Sequence, residues 1–184
     1  MTGVIRPMLP ADRAVLLSIL DSIPEFSHDD VAVAREVVDD YLHDPSGSGY
    51  HVLVAEVEGS VVGYICYGPT PLTQSTWDMY WMATLPARQG QGIGGSLMAV
   101  AESRIAESGG RLALIETSSR PEYEKTMRFH LHHGYELVAR IPDFYAPGDD
   151  RLTLQKRLEE QSRRARHPVL PRRQPHLHRP LTHS

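Results

Sequence analysis

Between Gln89 and Gly95 the chain reads Gln-Gly-Gln-Gly-Ile-Gly-Gly, placed between a β-type run and a helical one. Without Cβ atoms, Gly90, Gly92, Gly94 and Gly95 bring successive backbone N–H groups close to an anion. A helix starting near Ile93 adds its own unpaired donors and the positive end of its dipole. The chemistry such a segment offers is the holding of a phosphate. Two familiar phosphate loops do not match. A Walker loop requires Gly-Lys-Ser/Thr, and Arg88 to Leu97 contains no lysine. A dinucleotide loop sits in the first βα unit of a repeating series, whereas this one follows a run of antiparallel strand signals.

The elements that must position this loop follow from periodicity. Val4 to Leu9 reads as a short strand and Asp12 to Leu20 as a helix. A second helix carries Val31, Ala34, Val38, Tyr41 and Leu42 on one face, with Asp29 or Asp30 near its start and Pro45 with Gly47 after its end. The period then changes to two. Tyr50 to Glu58 and Val61 to Gly68 form a hairpin about Glu58-Gly59-Ser60, and Ser75 to Thr84 is a third strand rich in aromatics. Its alternation predicts Trp77, Met79, Trp81 and Ala83 on one core face and Asp78, Tyr80 and Met82 on the other. After the loop, Ile93, Leu97, Val100, Ala101 and Ile105 trace a helix that ends at Gly109-Gly110. Leu112 to Thr117 is a strand, and Pro121 to His133 is a helix with Gly134 as a left-handed cap. Tyr135 to Ile141 and Arg151 to Leu158 pair around Pro147-Gly148-Asp149-Asp150. The order is β-α-α-β-β-β-α-β-α-β-β.

Composition bounds the rest. A chain of 184 residues with 41% hydrophobic content supports one α/β domain, expected over 1–158. Residues 161–184 hold six arginines and no acidic residue, leaving a body of net −10 and a tail of net +6. Four prolines and few apolar residues predict a disordered Arg/Pro/His-rich extension over 159–184. No aromatic platform, zinc pattern or recognition helix accompanies these charges, so no nucleic-acid partner is expected. Cys66 alone cannot form an intrachain disulfide and fits a reducing compartment. With neither a secretion signal nor an apolar run of membrane length, a soluble cytoplasmic protein without a membrane partner is expected.

Four ordered motifs resemble the GNAT superfamily of N-acetyltransferases across residues 2–158. Gln89 to Gly94 matches the Gln/Arg-x-x-Gly-x-Gly/Ala loop, and Tyr80 to Pro86 is similar to the strand before it. Leu114-Ile115-Glu116-Thr117 is similar to the next strand, and Thr126 to Tyr135 to the Ala-x-x-Phe-Tyr-x-x-x-Gly-Phe helix end. The resemblance implies an α/β (α+β) fold with a mixed, mostly antiparallel sheet flanked by helices and splayed between strands 77–84 and 111–117. It implies acetyl-CoA as acyl donor, its pyrophosphate on Gln89, Gly90, Gln91, Gly92, Ile93, Gly94 and Gly95. The pantetheine arm would lie along Met82, Ala83 and Thr84, with Tyr123 and Phe129 also at the cofactor and no metal. Near Met82 a backbone N–H would polarise the thioester carbonyl.

An alkylammonium has no lone pair for attack, so a base is needed. Glu116 is the first candidate: relatives that modify ribosomal proteins place a glutamate in a similar segment, and the preceding apolar run suggests a desolvated carboxyl. Asp78 is second. Where the family has Phe-Tyr this chain has Phe129-His130, so the role of proton donor to the CoA thiolate falls to His130 or moves elsewhere, for example to Tyr145. His130 and His133 share a helical face, but no third ligand accompanies them. The acceptor is expected between the turn Pro24 to His28 and the turn Asp143 to Asp150, where aromatics alternate with carboxylates suited to a cationic or zwitterionic amine. The reading is direct transfer to a small-molecule amine or amino acid in a ternary complex. A peptide acceptor and a non-catalytic acyl-CoA-binding module are the alternatives, and a homodimer is left open.

Overall fold

A computed structural model describes residues 3–158; the expected tail at 159–184 lies outside the described residues. Seven strands form one sheet in the order β1-β2-β3-β4-β5-β7-β6. They are β1 (Val4–Pro7), β2 (His51–Val57), β3 (Ser60–Pro69), β4 (Thr76–Thr84), β5 (Leu112–Ser118), β6 (Glu136–Ala146) and β7 (Asp149–Arg157). All neighbours are antiparallel except β4 and β5. The helices are α1 (Arg13–Asp21), α2 (His28–His43), α3 (Ile93–Glu107) and α4 (Glu124–His132). This is the expected element order. The Pro121–Tyr123 segment is a separate 3-10 turn ahead of α4, and the last hairpin extends to its turn at Pro147-Gly148.

The sheet is covered on both faces, which explains the nearly continuous apolar runs of β2 and β3. Leu53, Ala55, Val62, Ile65 and Tyr67 pack under α3 with Leu97, Met98, Ala101 and Ile105. Val52, Val54, Val61, Tyr64 and Cys66 pack under α1 and α2 with Leu16, Leu20, Ala34 and Val38. The turn between β2 and β3 places Glu58 and Gly59 at φ 52° and 78°, a conformation matched to the twist of a two-residue hairpin. At the start of α2, Ser27 and Asp30 form a reciprocal capping box: the Asp30 N–H donates to Ser27 Oγ at 3.1 Å, and the Ser27 N–H to Asp30 Oδ2 at 2.8 Å. The helix therefore begins ahead of the expected Asp29 or Asp30, and the box fixes the turn that carries Phe26.

One expectation is overturned in β4. Cys66 lies opposite Trp81 and Tyr67 opposite Met79, so Tyr80 is an extra residue in the strand, a β-bulge. An extra residue resets the side-chain parity downstream. Trp77 and Met79 pack on the α3 face, where Met82 now joins them, whereas Trp81 and Ala83 pack on the α1/α2 face. The two predicted sets, Trp77/Met79/Trp81/Ala83 and Asp78/Tyr80/Met82, are each split at the bulge.

A buried polar network fastens the end of α4 to the rest of the domain. Glu102 of α3 accepts the Lys156 ammonium at 2.7 Å and the Tyr135 hydroxyl at 3.0 Å. Glu102 is only 6% exposed, so removing one partner strands a buried charge. Glu102→Ala is expected to destabilise the fold by about 3–5 kcal/mol. Replacing Glu102 and Lys156 together by Leu and Met should recover most of that loss, as checked by urea denaturation.

Candidate active site

The donor side of the site is built at the junction of β4 and α3. Beyond β4 a 3-10 turn, Pro86–Arg88, leads into Gly90 and Gly92 at φ 77° and 80°. Gly92 is the N-cap of α3 and supplies no side-chain cap, so the first-turn N–H groups of Ile93, Gly94 and Gly95 face outward without intrahelical partners. Gly94 and Gly95 have another role beyond the expected one. A Cβ at Gly94 would lie 3.3 Å from the Phe129 ring, and one at Gly95 would lie 2.6 Å from His133 Nε2. These two glycines admit α4 across the mouth of α3. On the sheet, a Cβ at Gly63 would lie 3.0 Å from the Ala83 carbonyl, so the bare backbone there lets α3 sit close to the end of β4.

Gln89 braces this junction. Its amide donates to the Thr84 carbonyl at 3.4 Å, and its oxygen accepts Lys125 Nζ at 3.3 Å. Lys125 thus brings a cation to the edge of the glycine loop. Sequence reasoning missed it, because no spacing links the start of α4 to the loop.

The sheet opens beside that loop. β4 and β5 pair only over Thr76–Asp78 and Leu112–Leu114, leaving Met79 to Thr84 without a partner strand on the β5 side. Unpaired strand groups at such an edge pair readily with the amides of an extended ligand. The fork opens at the expected strands, and Met82, Ala83 and Thr84 line its β4 edge. Outward-facing first-turn donors, glycines at positive φ and a strand edge free over six residues fit a ligand carrying both a pyrophosphate and an amide-bearing arm.

Glu116 lies on β5 two residues beyond the last paired position, on the face covered by α1 and α2, since Ala113 and Ile115 point to the α3 core. The apolar setting expected for it is not found. Its side chain is 49% exposed and lies 3.5 Å from the Arg151 guanidinium. Alternation in a strand with one free edge leaves every second side chain in the cleft, which the preceding apolar run could not reveal. Asp78 stands at the base of the fork and accepts the Thr70 hydroxyl at 2.6 Å. Beside it, burial and the Asp78 charge push the Tyr80 phenol up to about 12.

Each of the expected acceptor turns is anchored by its own contacts. Phe26 packs edge-on to Trp81 with centroids 5.5 Å apart, and Tyr123 donates its hydroxyl to the Glu25 carbonyl at 3.0 Å. Tyr123, expected at the cofactor, is therefore tied to the α1–α2 turn. Residues Pro142 to Tyr145 arch out of the β6–β7 ladder, with Asp143 at φ 53°. Tyr145 is half exposed on this arch, and burial with the nearby Glu116 charge raises its phenol pKa. Asp149 and Asp150 do not serve the cleft as expected. Both are buried; Asp149 accepts the Ser118 hydroxyl, and Asp150 accepts Arg140 and, at 2.9 Å, the Asp143 N–H. They hold the arch together.

His130 is enclosed, 6% exposed, between Phe129 and Tyr135 at 5.2 and 5.9 Å. Burial, aided by the His133 charge, lowers its pKa to about 4. Its Nδ1 is buried without a partner. At neutral pH it is a neutral imidazole, able to give a hydrogen bond but not to act as an imidazolium acid. His133 is engaged elsewhere, its Nδ1 lying 2.8 Å from the Phe129 carbonyl. Cys66 is fully buried beneath α1 and α2, and burial raises its thiol pKa far above the usual range, so it is no acyl-carrying nucleophile. Among the described residues no helix is long and apolar enough to cross a membrane.

A family model for the acetyltransferase (GNAT) domain matches residues 48–137. Among solved structures, a GNAT-family protein from Desulfovibrio desulfuricans superposes with a TM-score of 0.82 at 35% identity, covering 85% of this chain and 99% of that one. Two others share the fold at lower identity. The yncA protein of Salmonella typhimurium, solved with acetyl-CoA, gives a TM-score of 0.67 at 22% identity over 87% of this chain and 96% of its own. The ribosomal-protein-S18-alanine N-acetyltransferase of Escherichia coli gives 0.68 at 12% identity over 85% and 94%. A search of curated proteins finds no match. The forked sheet, the open glycine turn before α3 and a relative matched over nearly its whole length lead to one assignment: the chain belongs to the GNAT acetyltransferase family and is an N-acetyltransferase.

Proposed function

We propose that the protein moves an acetyl group from acetyl-CoA to the primary amine of a small molecule, by direct attack with both substrates bound. The observation that carries this reading is the Tyr123–Glu25 hydrogen bond. It ties the α1–α2 turn to the 3-10 turn ahead of α4, and in this reading the joined turns form one wall of a compact acceptor site that has Glu116 on the adjacent strand. The aromatic side chains Phe26, Trp81, Tyr123 and Tyr145 suit a compact organic amine.

When bound, acetyl-CoA supplies the acetyl group on a thioester carbonyl open to nucleophilic attack. The N–H groups of Gly90 to Gly95 hold its pyrophosphate, helped by Lys125, and the free edge of Met82 to Thr84 aligns its arm. Glu116 takes the proton from the incoming ammonium, directly or through one water, so that the amine attacks with a free lone pair. Asp78, bonded to Thr70 at the base of the fork, orients the cleft floor. His130 gives a neutral N–H to the sulfur side of the site. Tyr145, whose phenol feels the Glu116 charge, is assigned in this reading to the acceptor side.

Two outcomes follow. In a panel of small amines incubated with acetyl-CoA, at least one should release CoA and gain an acetyl group by mass spectrometry. Glu116→Gln should lower kcat about 10²–10⁴-fold with little change in CoA affinity, and Asp78→Asn should cost much less. Acetylation of peptides with no turnover of any small amine would overturn the reading.

The buried His130 also makes the fold acid-sensitive. The unfolded chain binds a proton at about 6.5, whereas the folded chain resists it down to about 4. Stability is therefore complete above pH 6.5 and declines as the pH falls from there to 4, by roughly 3 kcal/mol. His130→Phe should lose that much less than the wild type between pH 7 and 4, as measured by denaturant midpoints along the series.

A further inference from the structure

Resting on the small-amine reading above, we infer that the acceptor is a free α-amino acid, or a close analogue bearing a carboxylate beside its amine, and that Arg151 reads that carboxylate. Arg151, the third residue of β7, lies on the face shared with Ser118 and Glu116, because Leu152 and Leu154 point into the α3 core. It is held on one side by the ring of Phe144, 4.4 Å below its guanidinium carbon. Its side chain is 26% exposed, its Nη1 lies 3.5 Å from Glu116 Oε1, and its Nε is buried with no partner.

Other cations of the domain are satisfied differently. Arg6 bonds to Asp12 and Glu56, Arg13 grips Asp39 with two nitrogens, and Arg140 binds Asp150. Arg120, on the rim of the same cleft, sits 3.4 Å from Asp149 and 5.4 Å from the Tyr123 ring centre. The buried Asp149 and Asp150 are thus committed to Arg120, Arg140, Ser118 and the arch. Arg151 is left with one long contact to a carboxylate that the chemistry needs for another purpose.

A carboxylate and a guanidinium side by side, both reachable from one cleft, make a dipolar receptor. In an α-amino acid a single carbon separates the ammonium from the carboxylate, so its charges can meet both groups at once. The ammonium goes to Glu116, which must receive its proton, and the carboxylate to the planar donor fork of Arg151. Binding also replaces the loose Glu116–Arg151 contact, freeing the Glu116 lone pairs for the amine. The aromatic walls then face the amino-acid side chain, which favours apolar and aromatic ones. A peptide N-terminus lacks the adjacent carboxylate and leaves Arg151 unmet.

The test compares phenylalanine, phenylalaninamide and phenethylamine as acceptors for the full-length protein, with CoA release as readout. The expected wild-type result is a kcat/KM for phenylalanine at least tenfold above that for either analogue, arising mainly in KM. In Arg151→Gln that preference should fall to near one, and in Arg151→Lys to an intermediate value, since Lys keeps the charge and loses the fork. CoA affinity by calorimetry confirms that each variant is folded. Equal use of acid, amide and amine by the wild type overturns this inference while the small-amine reading stands. A preference that survives Arg151→Gln overturns the role of Arg151. Failure of every small amine, with peptides acetylated, overturns both readings together.

Discussion

The structure depends on a parallel pairing that stops after three residues. Were β4 and β5 hydrogen-bonded along their whole length, Met79 to Thr84 would be satisfied by their neighbour and no edge would remain for a ligand. Several features hold the strands apart. The bulge at Tyr80 bends β4 and turns Trp81 toward α1 and α2, where it packs on Phe26. α3 lies against the end of β4 because Gly63 leaves room for it, and α4 closes over α3 because Gly94 and Gly95 do the same. The open edge and the open helix N-terminus are therefore brought next to each other by one packing arrangement, which is the geometry a ligand with a phosphate end and an amide arm requires.

The two sides of the sheet divide the work. Toward α3 lie the open first turn of that helix and the enclosed His130; toward α1 and α2 lie Glu116, Arg151 and the aromatic turns. Charge on the acceptor side is economical. Asp149 and Asp150 are used in building the arch that carries Phe144 and Tyr145, and Asp78 is bonded to Thr70, whereas Glu116 is half exposed with one long contact to Arg151. The buried histidine is the cost of putting an imidazole where the relatives' motif has a phenol. It lacks a partner at Nδ1 and resists protonation, so at neutral pH it is an uncharged imidazole.

The order of elements and the helix-capping glycine Gly134 were legible in the residues, since long apolar periods and glycine placement are local signals; the fork was expected only from the family resemblance. The face assignments in β4 were not. A bulge carries no compositional mark here: Met79, Tyr80 and Trp81 all suit a regular strand, and one inserted residue reverses every later orientation. Glu116 was singled out by its strand-end place and by resemblance, yet its setting was misread, because burial of an apolar run says nothing about the alternate face at a free edge. Arg151 was overlooked for a similar reason. Its polar stripe with Thr153 and Gln155 was readable as the outward face of a strand, but only the fold puts that face beside Glu116. Tyr123 was placed by motif position alone, and its hydroxyl turned out to reach the Glu25 carbonyl, a contact 98 residues distant in sequence.

The central claim is that one ligand spans the free edge of β4 and the first turn of α3. Amide hydrogen exchange, followed residue by residue with and without acetyl-CoA, tests it most directly. The account predicts new protection concentrated at Met82 to Thr84 and Gly90 to Gly95, with β2 and α2 unchanged. Protection confined to other segments, or none at the β4 edge despite saturating ligand, would contradict it.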